Sequence, residues 1–136
     1  MKLYDAMTPN NLRLNVFLKE KGIDPPREKI AVLEGATRTP EFLAINPFGE
    51  LPTLVLDNGD ILTESVAICR YFEAVQPTPR LMGDSAYEQA LIEMWNRRME
   101  QKIFGPLSEA GRHMFPFFAD KMEQMPAYAE TQIRLF

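Results

Sequence analysis

"FGELPTLVLDNGDILTES", residues 48–65, decides how this chain is read. Two apolar runs flank Asp57, Asn58 and Gly59, residues that accept the left-handed backbone a tight β-hairpin connection needs. Pro52 stands where the first of the two strands begins. Proline cannot donate to a sheet ladder, so it is confined to strand starts, edges or bulges. Directly after the hairpin comes Glu64, then "SVAICRYFEAV", which reads as a helix with Ser65 as N-cap and Val66, Ile68, Phe72 and Val75 as most of its apolar content. The stretch therefore predicts an antiparallel pair with an interrupted edge, feeding a helix.

Upstream, "KLYDAM" alternates as a short strand. "NNLRLNVFLKEKG" carries Leu14, Phe17, Leu18 and Lys21 at helical spacing and stops at Gly22. After the Pro25-Pro26 break, "REKIAVL" reads as a second strand. "TPEFLAINP" is a short helix with Thr39 as N-cap, Pro40 at its first position and Pro47 closing it. The order βαβ, helix, hairpin, helix is an α/β unit with a mixed sheet, complete by Val75.

Downstream, "QPTPRLMGD" has linker composition, and the texture then turns helical. Ser85 and Glu88 form an S-x-x-E capping box. Tyr87, Leu91, Met94, Trp95 and Met99 follow as an amphipathic stripe, and Gly105-Pro106 is expected to kink or end that helix. "PAYAETQIRLF" starts another helix with Ala129, Ile133 and Phe136 on one face. That face is unfinished, so the expectation is a fragment of a longer chain. The predicted organisation is residues 1–76, a linker over 77–84, and a partial all-α domain over 85–136.

The 136 residues are 46% hydrophobic and 25% charged, with a formal net charge of −4. That composition supports an ordinary globular core. The negative balance, with no block of Lys or Arg, argues against a nucleic-acid partner. A single cysteine, Cys69, excludes an internal disulfide framework and fits a reducing compartment. The start "MKLYDAMTPNN" is too short and polar for a signal peptide, and no apolar run approaches the ~20 residues of a membrane span. A soluble, cytoplasmic protein with no membrane partner is expected. No internal repeat or low-complexity segment is present.

The blocks "TPNNLRLNVFLKEKGI", "TPEFLAINPFGELPTLVLDNGDILTES" and "AICRYFE", in this order, resemble the thioredoxin-like, glutathione-binding domain of the soluble glutathione transferases. The middle block is specific because N-P-F-G, x-L-P, D-N-G and E-S occur together. The helical part from Ser85 resembles the start of the family's all-helical C-terminal domain, which is normally longer.

The resemblance implies a cis bond at Leu51–Pro52, which would leave the Leu51 main chain free to pair antiparallel with the cysteinyl residue of glutathione, a strand-addition mode. It implies that Ser65 takes the γ-glutamyl carboxylate and Glu64 the γ-glutamyl ammonium. It places Arg38 near the glycine carboxylate. Glu50 is a departure, since an acidic side chain is unhelpful beside an anionic ligand; it stands as a contact only.

A transferase of this kind must favour the thiolate, the nucleophilic form. Tyr, Ser or Cys does this in the major classes; here Thr8 holds the serine-like position and Asn10 follows at the helix start. The Thr-Pro-Asn loop is similar to that of bacterial transferases in which Thr and Asn approach the sulfur and disulfide reduction is common. Ser108 and His113 are a rival pair, similar to a fungal-type subgroup in which Ser and His hold a deprotonating water. His113 is the one histidine, and an unperturbed imidazole suits general-base work. Met7, Met99, Phe104, Met114 and Phe115 are candidate walls for a hydrophobic electrophile.

No C-x-x-C stands at "TPNN", no cluster has metal-ligand spacing, and no glycine-rich loop would cradle a phosphate. The expectation is glutathione as co-substrate, no metal, no nucleotide, and a homodimer by resemblance. Two alternatives stay open on the same scaffold: a glutathione-dependent disulfide reductase or peroxidase, and a non-catalytic binding protein.

Overall fold

The structure, a computed structural model, describes residues 1–135. Strand β1 (Lys2–Asp5) leads to helix α1 (Pro9–Lys21), then β2 (Arg27–Lys29), α2 (Pro40–Ile45), β3 (Thr53–Val55), β4 (Ile61–Leu62) and α3 (Ser65–Val75). The sheet order is β2-β1-β3-β4, with β1 parallel to β2 and both other pairings antiparallel. This is the mixed sheet of the thioredoxin-like arrangement. It belongs to a compact unit running from Met1 to Met82.

The core of this unit comes from four elements. Leu3 on β1, Leu14 and Leu18 on α1, Leu54 on β3 and Ile68 on α3 are all fully buried, with Cys69 and Phe72 completing the cluster. Spacings of four residues put each helical pair on one face. Burial pushes the Cys69 thiol up to about 12, so it is an inert packing group.

Local chemistry explains most element ends. Thr39 caps α2 by accepting from the Phe42 amide, with Pro40 in the first turn. The hairpin closes through Asp57-Asn58-Gly59, with the Leu56 amide on the Asp60 carbonyl. The expected second strand is shorter than "REKIAVL". It ends at Lys29, and Val32–Glu34 form a 3-10 turn instead. Leu33 is 81% exposed, so no buried face holds that run extended.

The proline-rich stretch after α3 is bound to the first unit by a buried ion pair. Lys21 pairs with Glu73 and donates to the Gln76 and Pro79 carbonyls at 2.6 and 2.7 Å. Glu73 in turn accepts from the Leu81 and Met82 amides at 2.9 and 3.0 Å. Both Leu51–Pro52 and Thr78–Pro79 are cis.

A second compact unit begins at Gly83 and is helical: α4 (Ala86–Met99), α5 (Gly105–Met114) and α6 (Pro126–Arg134). The Ser85/Glu88 capping box forms in full. Gly105-Pro106, expected to kink or end the helix, does not end it. A π turn over Glu100–Phe104 joins α4 to α5, with the Gly105 amide bonded five residues back to Glu100. The wider turn lets the chain pass Pro106, which sits where a first-turn amide would otherwise need a partner. Phe136, expected on the α6 stripe with Ala129 and Ile133, lies outside the described residues.

Candidate functional site

The N-terminus of α1 is built by Thr8. Its extended backbone makes it the N-cap, its hydroxyl accepts from the Asn11 amide at 3.4 Å, and its carbonyl accepts from the Leu12 amide at 2.9 Å. Pro9 follows with no amide to satisfy. The Asn10 amide is thus the first-turn donor left facing outward, at the end of the helix where partial positive charge gathers.

Facing this terminus is the loop leading into β3. Asn46, 1% exposed, anchors it: its amide group donates to the Glu50 carbonyl at 2.8 Å and the Thr53 hydroxyl at 3.1 Å, while its oxygen accepts from the Phe48 amide at 3.1 Å. Gly49 is required where it stands. Its φ is 62°, and a Cβ there would lie 2.7 Å from the Thr37 carbonyl. Arg38 donates to the Phe48 carbonyl at 3.0 Å, so its guanidinium holds the rim of this loop.

The result is a depression of about 220 Å³ in which Thr8 and Asn10 meet Thr37, Gly49, Glu50 and Leu51. Pro52 is buried behind it. Among the described residues no other backbone group bonds the N–H or C=O of Leu51. Leu54 pairs with Leu62 and Val55 with Ile61.

Ser65 departs from its expected role. The N-cap of α3 is Glu64, with φ 63° and ψ 114°, the one non-glycine residue at positive φ among the described residues. Such a conformation costs about 1 kcal/mol or more and clusters at functional sites. Ser65 is therefore the first helical residue, 4% exposed, and its hydroxyl accepts from Arg13 at 3.2 Å. The Glu64 side chain makes no capping bond and is exposed. This corner combines a hydroxyl, first-turn amides and a guanidinium behind them, a set that suits a carboxylate.

Beneath Thr8 lies a polar network that sequence reasoning did not single out. Thr8 donates its hydroxyl proton to the Asn11 side-chain oxygen at 2.5 Å, and the Asn11 amide group donates to Asp5 at 2.8 Å. Both Asn11 and Asp5 are fully buried. Asp5 also accepts from Asn15, Arg27 and Lys29. Burial acts to raise the Asp5 pKa, but hydrogen bonds from Lys29 and Asn11 and the Lys29 charge outweigh it and hold the carboxyl below its ordinary range. The signal available in sequence was the S/T-x-x-N3 frame of "TPNN", whose third residue after the cap points back at it.

Ser108 and His113 lie in the second unit. They are five residues apart on α5, which turns them roughly 140° from each other around the helix. His113 is 6% exposed, its Nδ1 accepts from the Met125 amide at 3.1 Å, and its ring meets Tyr128 edge-on at 5.0 Å. The lone pair a general base would use is thus occupied in tying α5 to α6. Of the proposed walls, Met7 is fully exposed, and Met99, Met114 and Phe115 are about half exposed. Among the described residues no group of three or more His, Cys, Asp or Glu is placed to hold a metal, and no helix is long and apolar enough to cross a membrane.

Comparisons with known proteins show the family and the fold. Residues 8–75 match the family model described as "Glutathione S-transferase, N-terminal domain". The chain is 33% identical over 126 residues to "Glutathione S-transferase 2" of Saccharomyces cerevisiae, covering 90% of this chain and 54% of that protein. A solved glutathione S-transferase domain-containing protein from Marinobacter aquaeolei superposes with a TM-score of 0.90 at 32% identity, covering 99% of this chain and 68% of the other. Gtt2 of Saccharomyces cerevisiae superposes equally well, with a TM-score of 0.90 at 31% identity over 99% of this chain and 67% of the other. The chain spans about half the length of the curated relatives it matches.

Proposed function

Because this chain belongs to the glutathione S-transferase family, we propose that its first unit binds glutathione and that the whole protein conjugates glutathione, through its sulfur, to a small hydrophobic electrophile. The observation that carries the reading is the main chain of Leu51, which no other backbone group among the described residues bonds, placed in one depression with Thr8 and Asn10. The cysteinyl residue adds as a short antiparallel strand on Leu51. The γ-glutamyl carboxylate docks on Ser65 and the first amides of α3, and its ammonium pairs with Glu64. Arg38 meets the glycine carboxylate at the rim.

This arrangement delivers the sulfur to the N-terminus of α1. There Asn10 and the helix dipole favour the thiolate over the thiol, and the displaced proton leaves to solvent. The thiolate then forms a carbon–sulfur bond as the electrophile loses its leaving group. A homodimer is the proposed assembly.

Calorimetric titration with glutathione, followed by conjugation of an aromatic halide, tests the proposal. Binding with turnover is expected. Binding without turnover would make this a glutathione-binding protein instead, and no binding would reject the reading. Ser65→Ala is expected to weaken binding by about 1 kcal/mol or more, the value of a hydrogen bond to a charged group. An unchanged Kd would remove Ser65 as the anchor.

A further inference from the structure

The buried network under Thr8 has a direction. An ionised carboxylate only accepts hydrogen bonds, so the Asn11 side chain must turn its amide group toward Asp5 and its oxygen toward Thr8. Asp5 is held ionised by Lys29 and Arg27, which fixes that orientation. The Thr8 hydroxyl therefore spends its one proton on Asn11 at 2.5 Å, inside the protein. With one lone pair taken by the Asn11 backbone amide, Thr8 offers the depression its remaining lone pair and no proton. The outward donors are those of Asn10.

We infer that Asn11, oriented by Asp5, is a positioning residue that makes Thr8 an acceptor for the incoming thiol and leaves donation to the sulfur to Asn10. The inference rests on the glutathione-binding reading above. Its consequence is specific. A group that accepts from S–H steadies the neutral thiol, whereas a group that donates to sulfur lowers the thiol pKa. Thr8 thus guides the thiol into place without activating it, and Asn11 sets how far activation goes.

The experiment is a pH titration of glutathione bound to the full chain, read by thiolate ultraviolet absorbance, across single variants. Asn10→Ala is expected to raise the bound thiol pKa by about one unit, through loss of a donor to the charged form. Thr8→Val is expected to weaken glutathione binding roughly two- to tenfold without raising that pKa. Asn11→Ala frees the Thr8 proton to turn outward, so the bound thiol pKa is expected to fall, and Thr8→Val on top of it is expected to abolish the fall.

A rise of a unit or more in Thr8→Val would overturn the inference while leaving glutathione binding intact. Thr8→Val decides this by itself should Asn11→Ala fail to fold. In the ligand-free protein, slow hydrogen exchange of the Asn11 side-chain amide and the Thr8 hydroxyl supports the lock, and fast exchange overturns it. A wild-type chain that binds no glutathione, with slow exchange at both groups, would defeat the proposed function and with it the role at sulfur, but not the lock.

Discussion

The two units of this chain solve burial differently. The first has a continuous core of Leu3, Leu14, Leu18, Leu54, Ile68, Cys69 and Phe72 drawn from two strands and two helices. In the second, Ala110, His113 and Ala129 are the buried positions among the described residues, and α4 has none. Tyr87 and Trp95 on α4 are 74% and 52% exposed. The second unit is held by caps, turns and one histidine, the first by packed apolar volume. What this teaches is where mutational cost should fall.

The largest expected effects lie in the first unit. Lys21→Met leaves Glu73 charged and half-enclosed without its partner and should cost about 3–5 kcal/mol. Leu54→Ala, at a fully buried position between β1 and β4, should cost about 2–5 kcal/mol. Urea unfolding of the full chain measures both. Losses below ~1 kcal/mol would erase the contrast with the second unit.

Acid should act on the same unit. Burial tends to raise the Glu73 pKa, but the Lys21 hydrogen bond, the Met82 and Leu81 amides and the Lys21 charge outweigh it and leave it lowered. Asp5 is lowered in a similar way. A carboxyl depressed in the folded state stabilises the fold above its unfolded pKa, and that stability is lost as pH falls through the folded value. The urea midpoint should therefore drop as pH is lowered below the ordinary carboxylate range, and Glu73→Gln should flatten the drop.

Intermediate effects are expected where backbone geometry is strained or capped. Gly49→Ala forces a side chain onto a positive φ and against the Thr37 carbonyl, so it should cost about 1–3 kcal/mol and weaken glutathione binding. Ser85→Ala removes the capping box of α4 and should cost about 1 kcal/mol. The smallest effect belongs to Tyr87→Ser, within about 0.5 kcal/mol, as for other exposed positions. A loss of several kcal/mol there would show that the apolar stripe is covered in solution.

Much of the first unit was legible because its signals are local. Thr39-Pro40 starts α2 and Asp57-Asn58-Gly59 turns the hairpin, as in the second unit Ser85/Glu88 opens α4, each through bonds within four residues. The site was legible only in part. Thr8, Asn10, Glu50 and Leu51 were named, but Val32, Thr37 and Gly49 of the same depression were not, and Ser65 was read as a cap when Glu64 holds that position at positive φ. His113 was read as a candidate base when its Nδ1 supports the backbone at Met125.

Taken alone, the order of residues determined most of the elements, the hairpin and the family to which the chain belongs, because turn chemistry and apolar period act over a few neighbours. Only the tertiary structure decided which of two adjacent asparagines faces the depression and which is buried on Asp5. Asn10 and Asn11 differ by a 100° step around one helix turn, and which side of that turn meets the sheet depends on β1, β2 and α1 packing together. A hydrogen-bond direction set by a carboxylate and the cations beside it is a property of that assembly.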